Sequence, residues 1–250
     1  ELVSRWSFCL PGGLQPAWPQ NNRLLEDRAA QIVVADGTVF FGSSTDGKVY
    51  ALDETTGRLE WTRPTDGPIC FAPAVWKDRV FVAGDDGNLY ALSTRSGHLL
   101  WKRRGGPDDR AILGNERIIS RWPARGGPVV VDDCVYFAAG MWPSEGIYLY
   151  ALSPTDGDVL WVNDDSGEMR MPQPHGGAVA ESGVSAQGHL VAEGNRLLMP
   201  TGRAVPACFD RTDGTFLYFH LQGYGQNGGS ATMALGAVFF NGGVAYSMVD

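Results

Sequence analysis

Residues 49–61 read VYALDETTGRLEW and residues 89–101 read LYALSTRSGHLLW. A third copy, LYALSPTDGDVLW, covers 149–161, and a looser fourth, PACFDRTDGTFLY, covers 206–218. The copies share the pattern Ala-x-Asp-x-x-x-Gly-x-x-x-Trp. Ala51, Asp53, Gly57 and Trp61 fit it in full. Ala91, Gly97 and Trp101 fit it with Ser93 at the Asp position, and Ala151, Gly157 and Trp161 fit it with Ser153 there. In the fourth copy Asp210 and Gly214 fit, Cys208 stands for Ala and Tyr218 for Trp. An internal repeat of this kind sets the architecture before any single segment does.

Upstream of each copy lie two more short apolar segments: IVVADGTVFFGS, APAVWKDRVFVAG, PVVVDDCVYFAAG and HLVAEGNRLLMPTG. Each unit therefore reads as four strands, in the first unit roughly 31–35, 38–43, 48–53 and 58–63. Asp-Gly pairs at 36–37, 46–47, 66–67, 86–87, 156–157 and 213–214 supply the positive φ of tight turns. Only 22–30 suggests a turn or two of helix. A lone four-stranded sheet cannot bury both faces, so the units must stack around an axis. The expectation is an all-β propeller of four-stranded antiparallel blades over 31–66, 71–104, 126–166 and 187–221. Residues 1–8 read as the last strand of a preceding blade, with Trp6 at the Trp position. Residues 228–250 read as the start of a further one. Those edges could join into one composite blade of a five-bladed ring, or belong to a longer, incomplete propeller.

Composition agrees with a folded chain. Apolar residues make up 44% of the 250 and charged residues 19%. The net charge of −8 argues against coating nucleic acid. No apolar run reaches the ~20 residues of a membrane helix, and no signal peptide is visible in this segment.

The repeat resembles the tryptophan-docking motif of the PQQ-repeat (quinoprotein alcohol dehydrogenase-like) β-propellers. That superfamily includes dehydrogenases and non-enzymatic relatives, among them a lipoprotein of the outer-membrane β-barrel assembly machinery. The resemblance implies a periplasmic or secreted location. For the enzymes it implies PQQ, a bound Ca²⁺, a general-base Asp and, in many, a disulfide between adjacent cysteines. Cys9, Cys70, Cys134 and Cys208 are not adjacent, and no Asp-x-Asp-x-Asp-Gly calcium loop is present. No residue stands out as catalytic and no metal site is expected. The repeat residues themselves read as structural. Glycine permits the turn, and tryptophan offers an apolar plate with one N–H donor.

The Trp-position residues fall at 6, 61, 101, 161 and 218, at intervals of 55, 40, 60 and 57. The excess lies in 9–30, 104–125 and 163–186, with a smaller part in 140–147. In an up-and-down blade these connections emerge at one end. Long loops on a rigid scaffold concentrate function, so the expected binding face is this one. Its candidates are Arg110, Arg121, Trp122, Trp142, His175 and Arg203, a surface suited to an acidic or planar ligand. The alternative is that these side chains pack the loops and pair with nearby carboxylates. Asp85-Asp86 and Asp132-Asp133 read as solvated turns. The expected function is a scaffold binding a small molecule or a protein partner, beside the missing blades of the parent chain. The alternatives are part of a PQQ-dependent oxidoreductase and, third, a lyase or hydrolase built on propeller loops.

Overall fold

The computed structural model describes residues 3–11, 31–114, 117–173, 176–202, 204–221 and 229–249. Blade A comprises β1 (Ile32–Ala35), β2 (Thr38–Gly42), β3 (Lys48–Asp53) and β4 (Leu59–Pro64). Blade B comprises β5 (Ala74–Trp76), β6 (Arg79–Ala83), β7 (Asn88–Ser93) and β8 (Leu99–Arg104). A hairpin, β9 (Ala111–Gly114) and β10 (Arg117–Ser120), is inserted before blade C. Blade C holds β11 (Gly126–Val131), β12 (Cys134–Ala139), β13 (Tyr148–Leu152) and β14 (Val159–Asn163). A second hairpin, β15 (Arg170–Pro172) and β16 (Val179–Glu181), and a short β17 (Gly188–His189) follow. Blade D is β18 (Val191–Glu193), β19 (Arg196–Met199), β20 (Ala207–Asp210) and β21 (Phe216–Tyr218). A three-stranded sheet E, β22 (Thr232–Leu235), β23 (Val238–Asn241) and β24 (Val244–Ser247), ends the described chain.

Each blade is an up-and-down antiparallel meander, and the apolar core lies between blades. Phe40, Val49 and Ala51 of blade A pack on Val80 and Val82 of blade B. Phe81 and Leu89 of blade B pack on Val135 and Phe137 of blade C, and the same pattern joins C to D and D to E. Blade C departs from four strands. Gly126 and Gly127 of β11 pair in parallel with Gly188 and His189, because a Cβ at Gly127 would meet His189 and Phe71 at about 3 Å.

The repeat pattern acquires a physical meaning at these junctions. The indole of Trp61 covers Gly97 of the next blade and donates its N–H to the Thr94 carbonyl at 2.8 Å. Trp101 covers Gly157 and donates to Pro154, and Trp161 covers Gly214 and donates to Arg211. Trp6 does the same to Gly57 and Glu54 of blade A. The acceptor is always the residue after the Asp position. Within a blade, Ala51, Ala91 and Ala151 sit directly opposite Trp61, Trp101 and Trp161, with a bulge at the same place each time. Asp53 bonds the amide and hydroxyl of Thr56, and Asp210 bonds the amide of Thr212, which closes the turn that presents the glycine. Tyr218 departs from the pattern and donates to the Met248 carbonyl of sheet E.

Two expectations change. Residues 3–10 form no ladder with any described strand, although Trp6, Phe8 and Leu10 pack on the outer face of blade A. The ladder to β24 that a closed five-bladed ring requires is therefore absent among the described residues. Asp85-Asp86 is not a solvated turn, because Asp85 is only 3% exposed. The long insertion covers it, with Ser120 and Ala124 donating to the Asp85 and Gly84 carbonyls. Asp132-Asp133 is an exposed turn with both φ positive, and Asp132 pairs with Arg211 of blade D. The helical turn expected at 22–30 lies outside the described residues.

Gly97 and Gly37 separate the two reasons for glycine. Both have positive φ, but a Cβ at Gly97 would sit 2.5 Å from the Trp61 ring and one at Gly37 meets nothing within 4 Å. Gly37→Ala should cost about 1–2 kcal/mol for the left-handed backbone. Gly97→Ala should cost roughly 1–3 kcal/mol more for overpacking. Urea unfolding of the two variants checks this. Equal losses would show that the indole contact contributes nothing.

Candidate functional site

The β2–β3 turns and the connections between blades share one end of the propeller. Two of those connections carry the hairpins β9–β10 and β15–β16. Near the axis at this end, blades B and C are tied by a buried ion pair. Arg125 Nε and Nη2 reach Asp85 Oδ1 and Oδ2 at 2.9 and 2.6 Å, with the two side chains 9% and 4% exposed. Cys70 Sγ approaches the same carboxylate at 3.8 Å. Next to it Asp86 accepts from the Tyr90 hydroxyl at 2.5 Å and pairs with Asn88. Burial raises the Asp86 carboxyl above its ordinary value, and these hydrogen bonds offset part of that rise. His189 lies against Phe71, and burial lowers its pKa from the usual 6.5.

The structure brings three of the expected loop residues together. Trp122 is 2% exposed, sits in the B–C core and donates its indole N–H to the Glu145 carbonyl. Arg110 and Arg121 lie over its ring, at 5.0 and 5.8 Å from the centre. Arg110 is paired with Asp108 in two hydrogen bonds of 3.0 and 2.8 Å, and Arg121 with the Glu145 carboxylate. These guanidinium groups are already matched within the chain. Trp142 is exposed and opens the 3-10 turn Pro143–Glu145 that carries Glu145. His175 and Arg203 lie outside the described residues.

The most exposed feature of this end is apolar. Leu113 and Ile118 are cross-strand neighbours on β9–β10 and are 79% and 75% exposed. The inward side of the hairpin carries Ile119, which is buried. Val179 on β16 and Trp142 are exposed at the same end. The adjacent Ile118 and Ile119 show no alternation in the sequence, so nothing there tells which of the two projects. Asp85 and His189 carry no motif, and only the fold brings them to the axis.

Residues 6–215 match the family model described as outer membrane protein assembly factor BamB, a PQQ_2 repeat family. The chain belongs to this family. No curated protein matches it significantly. Among solved structures, quinohemoprotein alcohol dehydrogenase from Comamonas testosteroni is similar at a TM-score of 0.56 and 19% identity, over 79% of this chain and 35% of that one. BamB from Moraxella catarrhalis is similar at 0.50 and 15%, over 88% and 76%. A europium-containing methanol dehydrogenase is similar at 0.53 and 16%, over 76% and 41%. At these identities the likeness shows the propeller fold. This chain spans about a third of the first dehydrogenase's length.

The dehydrogenases among the similar structures raise the question of a calcium-bound quinone. Among the described residues no three His, Cys, Asp or Glu side chains converge to hold a metal. Both oxygens of the buried Asp85 are engaged by Arg125, and the four cysteines form no disulfide. Asp85 is thus matched by Arg125 rather than placed as a Ca²⁺ ligand. No helix among the described residues is long and apolar enough to cross a membrane.

The axial ion pair should be stabilising only as a pair. Asp85→Asn or Arg125→Met alone should lose about 3–5 kcal/mol, because each leaves a buried charge unmatched, while Asp85→Leu with Arg125→Met should lose less than either. Chemical denaturation of the three variants decides. A double variant as unstable as the two single losses combined would contradict it. His189 adds a pH dependence. Its folded pKa lies below the unfolded value near 6.5, so the unfolded chain binds more protons in that window. Stability should fall as pH drops below about 6.5, and His189→Phe should flatten that slope in melting curves recorded from pH 7.5 to 5.

Proposed function

We propose that this chain is a protein-binding scaffold that meets its partner through the loop-rich end of the propeller, with the β9–β10 hairpin as the contact. One observation carries the reading: an apolar cross-strand pair, Leu113 and Ile118, displayed on an inserted hairpin that no blade needs. A solvated hairpin ordinarily turns polar residues outward, and exposed apolar groups on a protruding element mark an interaction site. Trp142 and Val179 would extend the same surface. The Arg121–Glu145 pair and buried Trp122 then serve to hold the base of the hairpin rigid.

The family supports the same direction, since its matching model is described as an assembly factor for outer membrane proteins. A location in the periplasm follows from that reading.

A photo-reactive side chain at position 113 or 118 should give a discrete protein adduct in cells of the source. The same group at Leu100 or Leu160 on the outer rim, also exposed, should give none. Leu113→Ser with Ile118→Ser should reduce binding of the crosslinked partner at least about tenfold, with unchanged thermal stability. Equal adducts at rim and hairpin, or undiminished binding by the double variant, would contradict the proposal. Dye reduction by the full chain after addition of PQQ and Ca²⁺ would favour the oxidoreductase reading instead.

A further inference from the structure

The β1–β2 and β3–β4 turns, and their counterparts in each blade, lie at the end opposite the long loops. There a cleft of about 760 Å³ opens between blades A and B. The repeat register explains why it exists. Ala35 pairs with Thr38 across the β1–β2 turn, as Trp76 pairs with Arg79 across β5–β6. Ala35 and Thr38 therefore stand where the next blade has Trp76 and Arg79. At the B–C junction the Trp76 indole occupies the corresponding space. Its N–H donates to Asp133 Oδ1 at 2.8 Å, and Lys77 Nζ lies 3.9 Å from its ring centre. Asp133 is the second residue of the β11–β12 turn, and its counterpart in blade B is Asp78. Asp78 lines the cleft together with Ala35 and Thr38. The A–B cleft is thus the site of an indole in which none of the described residues supplies one.

Two arginines and two carboxylates, Asp36 and Glu60, set this junction apart from the next, which has Lys77 and Leu100 in the carboxylates' places. Arg58 follows Gly57, where blade B has His98 after Gly97. Arg95 lies two residues after Ser93, where blade C has Thr155 after Ser153. Both arginines are exposed and line the cleft, whose inner wall is the buried ring of Phe40. Asp78 is ion-paired with Arg79, and a carboxylate has lone pairs to spare for a further donor.

We propose that this cleft binds a planar aromatic heterocycle with a ring N–H and a carboxylate substituent, of the indole-carboxylate class. The ring takes the place that Trp76 holds one junction on. Its N–H donates to Asp78, and its carboxylate meets Arg58 and Arg95, which can bind it in a planar, charge-assisted mode. This inference is independent of the loop-rich end and its partner.

The test is calorimetric titration of the full chain with indole-3-acetate at pH 7, with uncharged indole as the second probe. Saturable one-to-one uptake of indole-3-acetate is expected. Ala35→Trp installs the side chain that blade B carries and should abolish that uptake. Arg58→His with Arg95→Thr installs the residues of the next junction. It should weaken indole-3-acetate by about tenfold or more and leave indole within about twofold. Absence of saturable uptake by the unmodified chain, or full binding by folded Ala35→Trp, would overturn the proposal. Should Ala35→Trp fail to give a folded circular-dichroism spectrum, the arginine variant decides, and unchanged affinity for indole-3-acetate there would overturn it.

Discussion

The structure depends on one contact made four times: an indole laid on a glycine of the next blade, with its N–H bonded to a carbonyl of the same turn. The contact satisfies two constraints at once. It buries a large apolar plate between sheets that would otherwise expose both faces. It also pairs a donor that would be costly to bury alone. In three of the four, donor and acceptor lie on successive blades, and the contact sets the distance and angle between them. Phe40, Phe81 and Tyr136 complete the arrangement, each with its ring centre 5.6 to 5.9 Å from the tryptophan of its own blade.

Most of the fold was legible because the repeat writes this contact into the sequence. Glycine, tryptophan and the small residue opposite the tryptophan have fixed spacing, so the strands and their turns follow. Two features were not legible. Residues 3–10 carry the tryptophan pattern, but a strand also needs a neighbour to pair with, and none of the described strands provides it. Gly188 and His189 join blade C in parallel because Gly126 and Gly127 leave room, and two-residue pairings leave no periodic trace.

The candidate sites divide in the same way. Loop lengths pointed to the end that carries the hairpins, since insertions are countable. They did not distinguish side chains that project from side chains that fold back. Trp122 and Arg121 look like a ligand platform in the sequence and are held by Glu145 in the fold, 23 and 24 positions away. Asp85 looks like a turn residue and is a buried charge, because its partner Arg125 comes from another blade. The cleft between blades A and B has the opposite origin. It arises from the absence of a large side chain at Ala35, and only a register comparison between blades makes an absence visible.

If the indole–glycine contacts couple the blades as neighbours, removing one should loosen two blades and spare the rest, as in other repeat proteins. Hydrogen exchange of the Trp61→Ala chain measures this directly. Faster exchange is expected in β2–β4 of blade A and β5–β7 of blade B, with protection in blades C and D retained. Exchange that rises equally in all blades, or only in β4 around the substituted residue, would contradict it.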